Sequence, residues 1–298
     1  MQPVRFVQAF TRSMLNSPAV QRRVPAAAAG LLLGAGLLGA VLLAAAPATA
    51  MMPVGASAAA ARATPVPSYF HTLPAGTKLP TGSQCAAWVR ARPIAENKGV
   101  NSHFNHTAGH SVGSGFFSGD QPQANKWIAP RINGNFTGTT AEILRWAACK
   151  WGIDQNIVFA QAAVESWWRQ TTKGDWESSG CPPGHGPGVD GQPGLCPQSW
   201  GILQNRYPYE KTSWPGIEKS TAMNADTAYA IWRSCFDGYE TWLNTVQHGS
   251  TYRAGDAWGC IGRWFAGRWH TAPAQQYIAK VQQYLREKIW TTKDFQQP

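Results

Sequence analysis

Six cysteines constrain this chain more than any other feature: Cys85, Cys149, Cys181, Cys196, Cys235 and Cys260. They follow an N-terminus patterned for export. Residues 1–50 hold four arginines (Arg5, Arg12, Arg22 and Arg23) and no acid, then an apolar run from about Pro25 to Pro47 and the small-residue exit Ala48-Thr49-Ala50. A basic region, an apolar region and an A-x-A exit read as a signal peptide over residues 1–50. The apolar run approaches membrane-spanning length, so an N-terminal anchor is the alternative. In an exported chain an even cysteine count implies a disulfide framework, which places the protein outside the cell or in the periplasm or cell envelope. Local closure favours Cys181–Cys196 and Cys235–Cys260 and leaves Cys85–Cys149, one of fifteen ways to pair six cysteines. Zinc is the competing use, but there is no Cys-x-x-Cys pair and only His185 lies within a few residues of a cysteine. No metal and no cofactor are expected.

Charge narrows the partners. The chain carries 26 basic and 16 acidic residues, a net +10; without the four N-terminal arginines it is +6. Such a balance suits an anionic polymer, a bacterial wall or a nucleic acid alike. The basic residues near the C-terminus, Arg263, Arg268, Lys280, Arg286 and Lys288, belong to no recognisable nucleic-acid motif, and export argues against that partner.

Residues 51–80 are mostly Ala, Pro, Ser and Thr, too poor in large apolar side chains to form a core, and are expected to be a disordered linker. In 81–138, Cys85-Ala86-Ala87-Trp88-Val89 predicts one short helix. The remainder is rich in Asn, Gly, His, Ser and Thr, with scattered apolar anchors at Phe104, Phe116, Phe117, Trp127, Ile128 and Phe136. This predicts a loop-rich extension packed on the main domain. His103, His106 and His110 lie there without an acid beside them, which reads as a solvated loop and not as a metal site.

The character changes at Thr139. Thr139-x-x-Glu142 is a capping box that opens a helix through Trp151, and Gly152 ends it. Asp154 caps a second helix, expected from Gln155 to about Gln170. Thr221 or Asn224 starts another through Cys235, closed by Gly238, and a short helix is expected around Tyr239–Val246. The last, Ala272 to about Trp290, repeats Tyr277, Ile278, Val281, Tyr284, Leu285 and Ile289 near the 3.6 period. The fold class is mainly α, with one helical domain over 139–298, large enough for a single core.

Thirteen of the fifteen tryptophans fall in 139–298, which tilts the reading towards a carbohydrate ligand, because an indole offers a flat apolar face to a sugar. On the second helix Ile157, Ala160, Gln161, Val164 and Trp168 share one face, and Glu165 sits on its border. No other acid interrupts Gln155–Gln170. Apolar neighbours and the negative end of the helix dipole both disfavour ionisation, so Glu165 is expected to have a raised pKa, as a general acid requires.

Four segments then resemble a known family. Ala163-Val164-Glu165-Ser166-Trp167 resembles the Glu-Ser helix motif of soluble lytic transglycosylases and of the goose-type lysozymes that share their fold. Trp200-Gly201-Ile202-Leu203-Gln204 is similar to their Gly-Leu-Met-Gln signature. Trp264-Phe265-Ala266-Gly267 resembles their Tyr-Asn-Ala-Gly segment, and Tyr277-Ile278-Ala279-Lys280-Val281 the Tyr-Val-x-x-Val that opens the last helix. The resemblance covers about 139–285. It implies a lysozyme-like catalytic domain acting, as a monomer, on peptidoglycan glycan strands, with a membrane partner only if the N-terminal segment stays uncleaved. Glu165 would protonate the glycosidic oxygen and then act as base on the muramic 6-hydroxyl, giving a 1,6-anhydro product. Ser166 and Gln204 would position sugar and acid, Tyr277 would orient Glu165, and Trp167, Trp200 and Trp264 would bind substrate. Trp264 and Phe265 depart from the family's Tyr and Asn, which puts sugar contacts at that subsite in question.

Hydrolysing glycosidases generally use two carboxylates, whereas a transglycosylase lets the substrate's own hydroxyl replace water. Asp175, Glu177 and Asp190 follow Glu165 and are the possible second carboxylates; one facing Glu165 would favour an inverting muramidase of the same fold. A peptidoglycan-binding module without turnover is the alternative from another class. The Gly- and Pro-rich loop from Gly180 to Cys196 is expected to wall the cleft, with His185 not a catalyst.

Overall fold

Secondary structure in the computed structural model, which describes residues 70–245 and 251–296, runs through the helices α1 Gly82–Arg90, α2 Ser102–Asn105, α3 Pro122–Trp127, α4 Thr140–Trp151 and α5 Gln155–Ser166. The strands β1 Lys173–Glu177, β2 Cys196–Trp200 and β3 Asn205–Arg206 follow, and then α6 Gly216–Lys219, α7 Thr221–Phe236, α8 Ala257–Ala266, α9 Ala272–Glu287 and α10 Lys293–Gln296. The fold is mainly α. The expected signal or anchor at 1–50 and the linker up to residue 69 lie outside the described residues. Among those described, no helix is long and apolar enough to cross a membrane.

Local chemistry explains where the main helices begin and end. Thr139 and Glu142 form the expected capping box on α4, and Gly152 ends it in the left-handed region at φ 61°. Asp154 caps α5 by accepting from Asn156 N. Ser220 caps α7 by accepting from Met223 N, so of the two expected starts Thr221 is the correct one. The expected helix around 239–246 is a 3-10 turn over Thr241–Thr245. The last long helix ends at Glu287, short of Trp290, because Lys288 turns left-handed at φ 45° and a 3-10 turn follows.

The core is continuous from the extension into the helical body, with α9 packed on α8 and α5, and α4 on α7 and α1. Phe136 stacks on Trp146 at 5.4 Å, and the Trp146 indole donates to Gly82 O at 2.9 Å. Asp226, fully buried on α7, accepts from Lys150 Nζ at 2.6 Å, from Trp151 Nε1 at 2.7 Å and from the backbone N–H groups of Asn133 and Gly134 at 2.8 Å each. One carboxylate thus ties two helices to the extension, and its charge is offset by Lys150. Segment 70–80, expected as part of the linker, is packed instead: Phe70 is in the core, Leu73 N donates to Gly152 O, and Arg233 donates to Leu73 O and Pro74 O. Its Leu73 N–H finds the carbonyl just past the end of α4 and its own carbonyls find the Arg233 guanidinium, which outweighs its poverty in large apolar side chains.

Three disulfides join the cysteines in the favoured pairing: Cys85–Cys149 links α1 to α4, Cys235–Cys260 links α7 to α8, and Cys181–Cys196 closes the loop between β1 and β2. The elements not expected are the short helices α2, α3, α6 and α10, the helix α8, and the antiparallel sheet β1-β2-β3, in which Lys173 pairs Trp200 and Ser199 pairs Arg206.

Candidate active site

Helix α5 is shorter than its periodicity predicts, and the reason shapes the site. Trp167 and Trp168 both turn left-handed, at φ 56° and 60°, in place of continuing to Gln170. Trp168 then buries its ring and donates its indole N–H to Phe159 O at 2.9 Å. Asn101 of the extension holds the turn, donating to Trp168 O at 2.6 Å and accepting from Gln170 N at 2.8 Å. Glu165 therefore falls in the last turn of α5, beside carbonyls that carry the negative end of the helix dipole.

Around this half-buried glutamate converge side chains from three other elements. The Tyr277 hydroxyl of α9 donates to Glu165 Oε1. The Trp264 indole N–H of α8 donates to the same carboxylate. Asp175 of β1 lies close enough for its charge to act on Glu165. Burial pushes the Glu165 pKa up and the Asp175 charge adds to that; the Tyr277 and Trp264 hydrogen bonds oppose it, and the balance stands at about 8 against an ordinary 4.5. The acid is thus protonated at neutral pH. Burial and the Glu165 charge hold Tyr277 well above its usual range, so its phenol stays a donor.

Each expected site residue can now be placed. Ser166 is buried and its hydroxyl donates to Ile202 O at 2.8 Å while accepting from Arg169 N at 3.1 Å. It fastens the end of α5 to segment 201–204. Gln204, at φ 54°, spends its amide N–H on Gly201 O at 2.8 Å and Thr172 O at 3.1 Å. It presses on β1 so closely that a Cβ at Gly174 would stand 2.5 Å from its Oε1. Gln204 Oε1 therefore fills the space over Gly174, the residue before Asp175.

The expected substrate contact of Trp200 needs correction. Trp200 is only 2% exposed and packs edge-on to His185 and Trp214 at 4.4 and 5.4 Å, so it has no free face for a sugar. Trp167 packs on Phe295 at 4.7 Å and on Tyr284 at 6.0 Å, as part of an aromatic cluster with the C-terminal turn. Trp264 is half-buried and hydrogen-bonds Glu165.

The three acids after Glu165 separate clearly. Asp175, at φ 49°, accepts from the Ser199 hydroxyl and lies 3.8 Å from Arg206 Nε. Glu177 is partly exposed and 3.9 Å from Arg206. Asp190 is buried against Lys173 at 2.6 Å and His185 at 3.0 Å. Burial would raise the Asp190 pKa, but these partners outweigh it and lower the value. Of the three, only Asp175 acts on Glu165. Asp190, with His185 and Glu218, instead pins the loop closed by Cys181–Cys196, the His185 ring lying between the two acids. A further raised acid, Glu210 at about 8, is 8% exposed and takes its shift from burial. No sequence signal marked it. The Trp264 bond was equally hidden, because the departure from Tyr pointed to a lost contact where an indole N–H supplies one.

Comparison with family models, with curated proteins and with solved structures finds no match to this chain.

Proposed function

We propose that the protein cleaves the β-1,4 bond between muramic acid and glucosamine in peptidoglycan, with Glu165 as its general acid, in a lysozyme-like helical domain. The observation that carries this reading is the protonated, half-buried Glu165 at about 8, in the last turn of α5, with Tyr277 and Trp264 donating to it. A carboxyl group that is neutral at working pH and fixed in direction is what proton transfer to a glycosidic oxygen needs. The three disulfides fit work outside the cytoplasm, where the wall is.

In the reaction Glu165 gives its proton to the leaving 4-oxygen of glucosamine as the C1–O bond breaks. The resulting carboxylate takes the proton of the muramic 6-hydroxyl, whose oxygen bonds to C1 and closes the 1,6-anhydro ring. Trp264 and Tyr277 support the carboxylate at that stage, since both hydrogen bonds favour the charged form.

A second reading, inverting hydrolysis, is favoured by Asp175. Two carboxyl groups in one site can divide into acid and base, and the Asp175 charge contributes to keeping Glu165 protonated. Asp175 would then draw a proton from water attacking C1 from the other face. Digestion of purified sacculi followed by mass spectrometry, with and without borohydride reduction, separates the readings. Anhydro ends that resist reduction support transglycosylation; reducible ends that vanish in Asp175→Asn support hydrolysis. A wild-type protein that binds sacculi but releases nothing would leave only a binding module.

A further inference from the structure

Gln161 stands one helical turn before Glu165 on α5, and it is only 2% exposed. Its side-chain oxygen is buried without a hydrogen-bond partner, while its side chain hydrogen-bonds the Tyr277 hydroxyl. A phenol has one hydrogen, and that of Tyr277 goes to Glu165 Oε1. The bond from Gln161 is therefore made by its amide N–H to the phenolic oxygen. The result is a one-way chain: Gln161 donates to Tyr277, and Tyr277 donates to Glu165. The Tyr277 ring is stacked on Phe265, with centroids 4.9 Å apart and planes 4° apart. The ring is thus clamped, and the freedom that remains is rotation of the hydroxyl.

The orphaned oxygen makes this position telling. A buried amide carbonyl without a partner costs stability, and an apolar side chain of similar size would avoid that cost. The neighbours on the same face, Ile157 and Ala160, are apolar. What glutamine supplies here and leucine would not is the N–H that meets the phenol.

We propose that Gln161 is a positioning residue for the acid: by donating to Tyr277 it fixes the phenol hydrogen on Glu165 Oε1 and leaves the other carboxyl oxygen to carry the transferable proton. This rests on the reading of Glu165 as the general acid. The groups facing the pair are Trp264 from α8, Asp175 from β1 and Tyr229 from α7. None of them donates to the phenolic oxygen, so none substitutes for Gln161.

The test compares wild type with Gln161→Leu and Gln161→Met by two readouts. One is the pH profile of kcat and KM for release of glycan fragments from sacculi. The other is ¹³C NMR titration of the Glu165 carboxyl, assigned by its absence in Glu165→Gln. Without Gln161 the phenol hydrogen is free to turn away, and Glu165 loses a bond that lowers its pKa. The titration midpoint and the alkaline limb of kcat are then expected to rise together by about half to one pH unit. Plateau kcat falls about tenfold through lost orientation, KM stays close to wild type, and Tm is unchanged or higher in Gln161→Leu. A midpoint that stays where wild type has it, with only Tm moving, overturns the proposal. If wild type releases no glycan the functional reading fails instead, and the NMR titration still decides the positioning role.

Discussion

Glu165→Gln should make the protein more stable, and increasingly so as pH rises. In the folded chain Glu165 titrates at about 8 against an ordinary 4.5, so the fold favours its neutral form. Between those values the unfolded chain is ionised at this position while the folded chain still holds the proton, and the fold loses stability as pH rises through the window. Below about 4.5 the residue contributes no such penalty; above about 8 the penalty is complete. The full difference of about 3.5 pH units corresponds to ~5 kcal/mol at 1.36 kcal/mol per unit. Partial exposure of the residue reduces this, as does the loss of two charge-assisted hydrogen bonds on substitution, leaving about 2–3 kcal/mol at pH 8 and above. The assay is urea unfolding of both proteins at steps from pH 4 to 9, taking the difference at each pH. Glu210, which also stands at about 8, is present in both proteins and cancels in the difference. A stability difference that is flat across the range, or that favours wild type above pH 7, would refute the raised pKa and the acid role built on it.

Other outcomes follow from the same contacts. Asp175→Asn removes a negative charge that raises the Glu165 pKa, so the alkaline limb of the rate profile moves to lower pH; a limb that stays in place would show that Asp175 does not act on the acid. Trp264→Phe removes an opposing hydrogen bond and moves that limb upward, which the same profile checks. Asp226→Ala leaves a buried Lys150 ammonium and several N–H groups without their acceptor, and should cost about 3–5 kcal/mol in urea unfolding with no change in the pH of the limb. Gly174→Ala drives a Cβ against Gln204 Oε1 and displaces that amide from its bonds to Gly201 O and Thr172 O beside Asp175; it should lower activity more than Tm, as rate and melting measurements on one preparation will show.

Much of the helical frame could be read from local chemistry, because caps act within a few residues. The Thr139–Glu142 box, Asp154, Gly152 and the cysteine spacing each placed an end or a link that the fold contains. Helix α8 escaped because Ala257-Trp258-Gly259-Cys260-Ile261-Gly262 reads as a poor helix former. Its glycines serve tertiary packing, since a Cβ at Gly259 would strike Trp269 and one at Gly262 would strike Ile278. The end of α5 escaped for a similar reason: the bonds that stop it come from Asn101, 66 residues before Trp167, and no local signal marks them. Tryptophan enrichment was legible, but its meaning was not. Most of those rings fill the core, and Trp264 reaches Glu165 with its indole N–H, a contact that enrichment alone does not reveal. Glu165 itself was legible as a lone acid on an apolar border; the partners that tune it lie on α8, α9 and β1, distant in sequence.

The most direct test of the account is release of soluble glycan fragments from purified sacculi by the wild-type protein and by Glu165→Gln, compared at pH 6 where the acid is protonated. The account predicts release by wild type and at least a thousandfold (about 4 kcal/mol in barrier) less by Glu165→Gln, with the variant folded. Equal release by the two proteins would contradict it.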